Sequence, residues 1–213
     1  MSIKSMLTKK EAVLIIVFSL VFMFLIALKF PLELEYNLNT IIAPFIIILT
    51  SILVKKFASK HYYVDIQHEI LDFQRWGWYQ RSEFKKPLPI GLILPFFLGI
   101  FSLGAIKPFT FFQFKSKPSK LRVLKTRGMI RKKEINESDL AFISAWGFWA
   151  LILLAIIGSL INFPELTKYS IYYGIWNLLP LGKLDGIKLF FGSFFNWCLL
   201  AIAYLISLII ILL

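Results

Sequence analysis

Few side chains in this sequence are equipped for chemistry, and the most conspicuous set is Asn177-Leu-Leu-Pro180-Leu-Gly-Lys-Leu184-Asp185-Gly186. Pro180 and Gly182 interrupt any helix there, which is expected to present Asp185 on a short unwound stretch beside apolar sequence. An ionisable group next to a broken membrane helix is a functional candidate by default. The plainer reading is a loop aspartate paired with Lys183 or Lys188. Histidine occurs twice. His61 follows Lys60 and reads as a surface or interfacial residue. His68 lies in a polar run with Asp65, Gln67, Gln74 and Arg75, followed by Trp76, Trp78 and Tyr79. That run reads as an amphipathic helix at head-group level with His68 solvated. There is no glycine-rich phosphate loop, and the serines lack a histidine partner in a recognisable frame. The single cysteine, Cys198, reads as a small buried thiol.

The elements that must position these residues are apolar. The chain has 213 residues, 58% hydrophobic and only 17% charged, with 22 phenylalanines. Soluble domains carry about 25% charged and 45–50% apolar residues, so the implied solvent is lipid. Secreted disulfide scaffolds, disordered tails and ordinary cytosolic enzymes are excluded. Six apolar stretches are candidates for crossing a bilayer: 12–28, 40–56, 88–106, 140–161, 169–182 and 189–213. Lys55 and Lys56 extend the second as a snorkelling pair. The expected fold is an all-α polytopic membrane protein, a single transmembrane domain of five to six helices. The first apolar run is long and no small-x-small site follows it, so no cleaved signal peptide is expected.

Lysine and arginine counts set the orientation, because cytoplasmic loops are enriched in them. Lys4, Lys9 and Lys10 place the N-terminus inside. Residues 55–87 carry seven Lys/Arg against four acids, and residues 107–139 carry ten against three. Both segments read as cytoplasmic, and two inside segments cannot flank one complete crossing. Residues 88–106, interrupted by Pro89, Gly91, Pro95, Gly99 and Gly104, are therefore expected to re-enter; a sixth full span is the alternative. Within the basic segment, Pro108–Phe114 and Ser119–Ile130 are expected to pair as a β-hairpin at the membrane face. The net charge of +12 then belongs to topology and lipid head-group contact, with no nucleic-acid partner.

The string Asn177–Gly186 resembles the Asn-x-x-Pro…Leu-Asp-Gly motif of the site-2 proteases, intramembrane zinc metalloproteases in which this aspartate is a zinc ligand. Ala145-Trp-Gly147-Phe-Trp-Ala150 is similar to the small-residue motif opening their preceding helix, and 88–106 with Pro108–Phe114 is similar to their membrane-embedded hairpin. The resemblance runs from about residue 40 to residue 195. It implies a zinc-binding His-Glu-x-x-His, where two histidines share a helix face and the glutamate activates water. Aligning Lys56-Phe57-Ala58 with the segment after that motif puts Ser51-Ile52-Leu53-Val54-Lys55 in its place, and no histidine falls within 40–60.

The resemblance thus implies a catalytically silent, multi-pass homologue in the cell membrane, binding membrane lipids and transmembrane segments of other proteins and holding no cofactor. Ser51, Lys55, Asn177 and Asp185 are its vestigial-site candidates, and a Lys55–Asp185 ion pair is a physically sound substitute for the metal, since an ammonium neutralises a carboxylate that is otherwise costly to bury. One alternative is an active zinc protease. His68-Glu69-Ile-Leu-Asp72 reads as a variant motif, in which His68 and Asp72 on one helix face join Asp185 as metal ligands and Glu69 is the catalytic base. A second alternative is a transporter or channel subunit using the discontinuity at Pro180–Gly186.

Overall fold

A computed structural model of the chain describes residues 7–29, 33–34, 38–75, 83–102, 105, 107–119 and 135–212. Seven helices make up most of it: α1 (Lys9–Ala27), α2 (Leu38–His61), α3 (Ile90–Phe101), α4 (Glu137–Leu160), α5 (Pro164–Leu178), α6 (Asp185–Gly192) and α7 (Phe194–Leu212). Four of them, α1, α2, α4 and α7, are long and apolar enough to cross a membrane. The expected stretch 169–182 corresponds to α5, which starts earlier, at Pro164, and stops at Leu178 before Pro180. Residues 189–213 do not form one helix, because the chain breaks at Ser193 between α6 and α7. α3 has 12 residues, so it rises about 18 Å, well short of a hydrocarbon core of about 30 Å.

Local sequence accounts for several helix starts. Thr8-Lys-Lys-Glu11 forms a reciprocal capping box. Thr8 Oγ1 accepts from the Glu11 N–H at 3.3 Å and Glu11 Oε2 accepts from the Thr8 N–H at 2.9 Å. Pro164 opens α5, where its missing N–H costs nothing. Glu137 and Asp139 sit in the first turn of α4, favourable for the helix dipole.

Six short strands pair in twos: β1 (Leu28–Lys29) with β2 (Glu33–Leu34), β3 (Val64–Ile70) with β6 (Phe112–Pro118), and β4 (Phe73–Arg75) with β5 (Glu83–Leu88), all antiparallel. One expectation is corrected here. Val64–Ile70 is a strand and not a helix, with Val64, Ile66 and His68 buried and Asp65 and Gln67 exposed in strict alternation. Phe112–Pro118 pairs with this strand, with His68 opposite Phe114. Residues 120–130, the other half of the expected hairpin, and Trp76, Trp78 and Tyr79 lie outside the described residues.

The extended chain before β6 threads the core. Phe109 and Phe111 are completely buried among Phe18, Phe22 and Tyr173, with Phe22 4.3 Å from Phe109 and 5.8 Å from Tyr173 between ring centroids. A second cluster joins α4, α5 and α7 through Phe148, Leu178, Leu200 and Tyr204. The Tyr204 hydroxyl donates to the Phe148 carbonyl at 2.9 Å.

Inter-element contacts sort the helix ends onto two faces. On one, Glu11 of α1 pairs with Lys56 near the end of α2, Lys188 of α6 donates to the Phe114 carbonyl of β6 at 2.7 Å, and Gly192 lies against the Glu137 backbone at the start of α4. On the other, Asn39 at the start of α2 meets Glu165 at the start of α5 at 3.5 Å. A cysteine scan in a Cys198→Ser background tests this arrangement. Lys60→Cys and Lys117→Cys are expected to react with an impermeant maleimide from the same side of sealed vesicles, and Asn39→Cys from the other. Labelling of all three from one side overturns it.

Candidate functional site: a buried lysine–aspartate centre

Lys55 lies on the last turns of α2 and Asp185 is the first residue of α6. Lys55 Nζ donates to Asp185 Oδ2, and both side chains are almost wholly buried, 7% and 5% exposed. Two glycines make the encounter possible. A Cβ on Gly147 of α4 would lie 2.4 Å from Lys55 Cε, so the absence of a side chain there gives the lysine stem its channel. A Cβ on Gly186 would lie 2.1 Å from the Leu178 carbonyl oxygen, so only glycine lets the start of α6 abut the end of α5. Between those helices the chain turns through Gly182 at φ +59.

Asn177 anchors the same region. Its Nδ2 donates to the Phe109 carbonyl at 2.9 Å and to the Tyr173 carbonyl at 2.8 Å, tying α5 to the extended core segment. The Ser51 hydroxyl, one turn before Lys55, is buried beside the Tyr173 side chain, while Ser144 Oγ and Asp185 Oδ1 are buried without a hydrogen-bond partner among the described residues. Lys188 Nζ stands 3.9 Å from Asp185 Oδ1 and over the Phe114 ring. The loop pairing expected for Lys183 is made with Asp72 instead, at 2.6 Å.

A second buried pair adjoins the first. Glu11 binds Lys56, which is buried like Lys55; neither lysine snorkels. Glu11 Oε1 also accepts the His68 backbone N–H at 3.0 Å and lies 3.6 Å from His68 Nδ1. His68 is therefore buried and not solvated, 4% exposed, whereas His61 is exposed as expected. Burial in an apolar setting pulls the His68 imidazole below its usual range, and Glu11 only partly counteracts this.

The residues of the alternative zinc set are dispersed to different partners. Asp185 is held by Lys55, while Asp72 accepts from Lys183 and from Gln113 Nε2 at 2.7 Å. Partial burial alone would raise the Asp72 carboxyl, but those two donors outweigh it and hold it below the usual carboxylate range. Glu69 pairs with Lys115 at the surface. Among the described residues no three His, Cys, Asp or Glu side chains are close enough to hold one ion.

Lys56 was expected to snorkel and Lys188 only to partner Asp185 in a loop; Glu11 was not singled out by sequence, although Thr8-x-x-Glu11 before an apolar run is a capping-box signature and Glu11 is the only acid before Glu33. The Asp72–Lys183 pair edges a cavity of about 620 Å³ lined by Leu71, Ile90, Leu94, Leu98, Trp176 and Leu181, between α3 and the α5–α6 loop. The fold and centre define a helical protein with membrane-length helices and buried ion pairs at one face. Compared with models of protein families, curated proteins and solved structures, the chain matches none.

Two outcomes follow from the buried charges. Lys55→Met leaves the buried Asp185 carboxyl without its bonded partner, with only Lys188 3.9 Å away, and is expected to cost about 3–5 kcal/mol, whereas Lys55→Met with Asp185→Leu recovers most of that loss. Unfolding of the purified variants in detergent checks the cycle. For His68, whose imidazole titrates below its unfolded value, the unfolded chain takes up protons first as pH falls. Its contribution to stability is thus present above about pH 6.5 and lost below it. Melting temperatures of the parent and His68→Phe proteins between pH 7.5 and 5 are expected to converge as pH falls.

Proposed function

We propose that this chain is an integral, multi-pass membrane protein on a site-2 protease-like scaffold in which the Lys55–Asp185 pair occupies the place of the zinc centre, and that it binds apolar membrane segments of other proteins without cleaving them. The observation that supports the reading is the buried ion pair itself: the residue at the aligned ligand position of α2 is a lysine, and it is spent on the aspartate of the Leu-Asp-Gly motif. An ammonium can balance that carboxylate but supplies no open coordination position to activate water.

In this reading α1, α2, α4 and α7 cross the bilayer, α5 crosses with the help of the loop after it, and the 12-residue α3 enters only partway. The N-terminus faces the cytoplasm, because β3 and β6, on the face where α1 begins and α2 ends, belong in sequence to the basic segments 55–87 and 107–139. The cavity between α3 and the α5–α6 loop is the binding groove. Its apolar walls and single ion pair suit a handful of apolar side chains more than a polar substrate.

Metal analysis and a binding assay test the two halves of the reading. Protein purified without chelator is expected to carry far less than one zinc per chain; about one zinc per chain, lost in Asp185→Ala, overturns it. A fluorescently labelled single-span apolar peptide in micelles is expected to bind, and Leu94→Arg to weaken it at least about tenfold. Equal binding by the variant places the peptide elsewhere.

A further inference from the structure

A second cavity, of about 920 Å³, lies between the start of α1 and strand β3, and the groove above plays no part in it. Its walls are of two kinds. Thr8, Lys9, Lys10 and Gln67 form a polar end, and all four are exposed. Val13, Leu14 and Ile70 form an apolar end. Below it, Val13, Ile16, Val17 and Leu20 continue as an exposed apolar stripe down α1, 38–59% exposed although each could have packed inward.

The charges in this cavity do not cancel. Its two acids are already occupied: Glu11 by Lys56 and Glu69 by Lys115. Lys9 and Lys10 have no acid partner among the described residues. They share the first turn of α1, at the positive end of the helix dipole. A ligand that fits must present an anion to two ammonium groups and, directly beneath it, hydrocarbon to an apolar wall that extends along a membrane-length helix.

We propose that this cavity is a binding site for one anionic phospholipid, with Lys9 and Lys10 holding the phosphate head, Gln67 hydrogen-bonding to it, and Val13, Leu14 and Ile70 covering the upper acyl chain. The site rests on the membrane placement proposed above and is independent of the zinc question. A bound lipid there clamps β3 against α1, next to the point where Glu11 accepts the His68 N–H.

The full chain, purified in a neutral detergent, is titrated with fluorescently labelled phosphatidylglycerol. One lipid per chain is expected, displaced by unlabelled phosphatidylglycerol and not by phosphatidylcholine. Lys9→Gln with Lys10→Gln is expected to weaken binding about 30-fold, at about tenfold or less per lysine near a lipid surface. Gln67→Glu, an exposed position on the other wall, is expected to weaken it without touching α1. Lys85→Gln with Lys86→Gln, removing equal charge from exposed positions on β5, is expected to leave binding unchanged. The proposal is overturned if the two double variants lose affinity equally, if phosphatidylcholine competes as well as phosphatidylglycerol, or if inorganic phosphate displaces the lipid at similar concentration, which would assign the site to a soluble phosphate.

Discussion

A charge taken out of water must be matched where it stands, and this single requirement organises one whole face of the molecule. Lys55 and Asp185 are too deeply buried to be solvated, so the end of α2 and the start of α6 are fixed by their encounter. The encounter sets conditions on its neighbours in turn. α4 must present Gly147 where the lysine stem passes, and α6 must present Gly186 where it meets the last carbonyls of α5. Asn177, the penultimate residue of α5, then carries the constraint to the Phe109 carbonyl, and so to the strand that pairs with β3. Larger residues at either glycine would not merely crowd the site; they would separate the two charges.

The hub of this arrangement is a pair of adjacent lysines. Successive residues on a helix point about 100° apart, so Lys55 and Lys56 reach in different directions from the same turn. Lys55 goes to α6, and Lys56 goes to Glu11 on α1. The end of α2 thereby joins the first and the penultimate helices, which no stretch of local sequence brings together. Glu11 serves three elements with one carboxylate: it caps its own helix through Thr8, neutralises Lys56, and accepts the backbone N–H of His68 in β3. The remaining ammonium, Lys188, is stabilised by the Phe114 ring and carbonyl as well as by the Asp185 charge, which is how a third lysine is tolerated beside two acids.

How much of this could be read from the sequence depended on the range of the interaction. Apolar run lengths located α1, α2, α4 and α7, because a membrane-length helix is a local property of composition. Asp185 stood out because a charged residue between Pro180 and a long apolar tail is locally anomalous. Lys56 did not, since two lysines at a helix end are equally consistent with snorkelling, and Lys55 was set opposite Asp185 only through the family resemblance, because that acid stands 130 positions away. The misreading of His68 was of another kind. The alternation Val64-Asp-Ile-Gln-His-Glu-Ile70 has the period of a strand, but the i, i+4 spacing of His68 and Asp72 suggested a helix, and the strand's partner lies beyond α3. The pairing of Phe112–Pro118 with this strand was out of reach for the same reason, because only a tendency of adjacent elements to pair can be read locally.

Exchanging a metal for an ammonium, as the proposed reading has it, keeps one consequence of the centre and discards another. A divalent ion bound by side chains from two helices holds those helices together and activates what it binds. An ammonium bound by one carboxylate still holds α2 to α6, and its donor geometry is loose enough to need no second ligand from α2. It cannot polarise a carbonyl or lower the pKa of water as zinc does, because its charge is single and it offers protons where the metal offers vacant orbitals. The groove edged by Asp72 and Lys183 is lined by α3, Leu71, Trp176 and the α5–α6 loop, none of which depends on what neutralises Asp185 beyond the position of α6. A scaffold of this design can therefore lose hydrolysis and retain recognition, since the part that binds and the part that reacts are linked only through the placement of one helix.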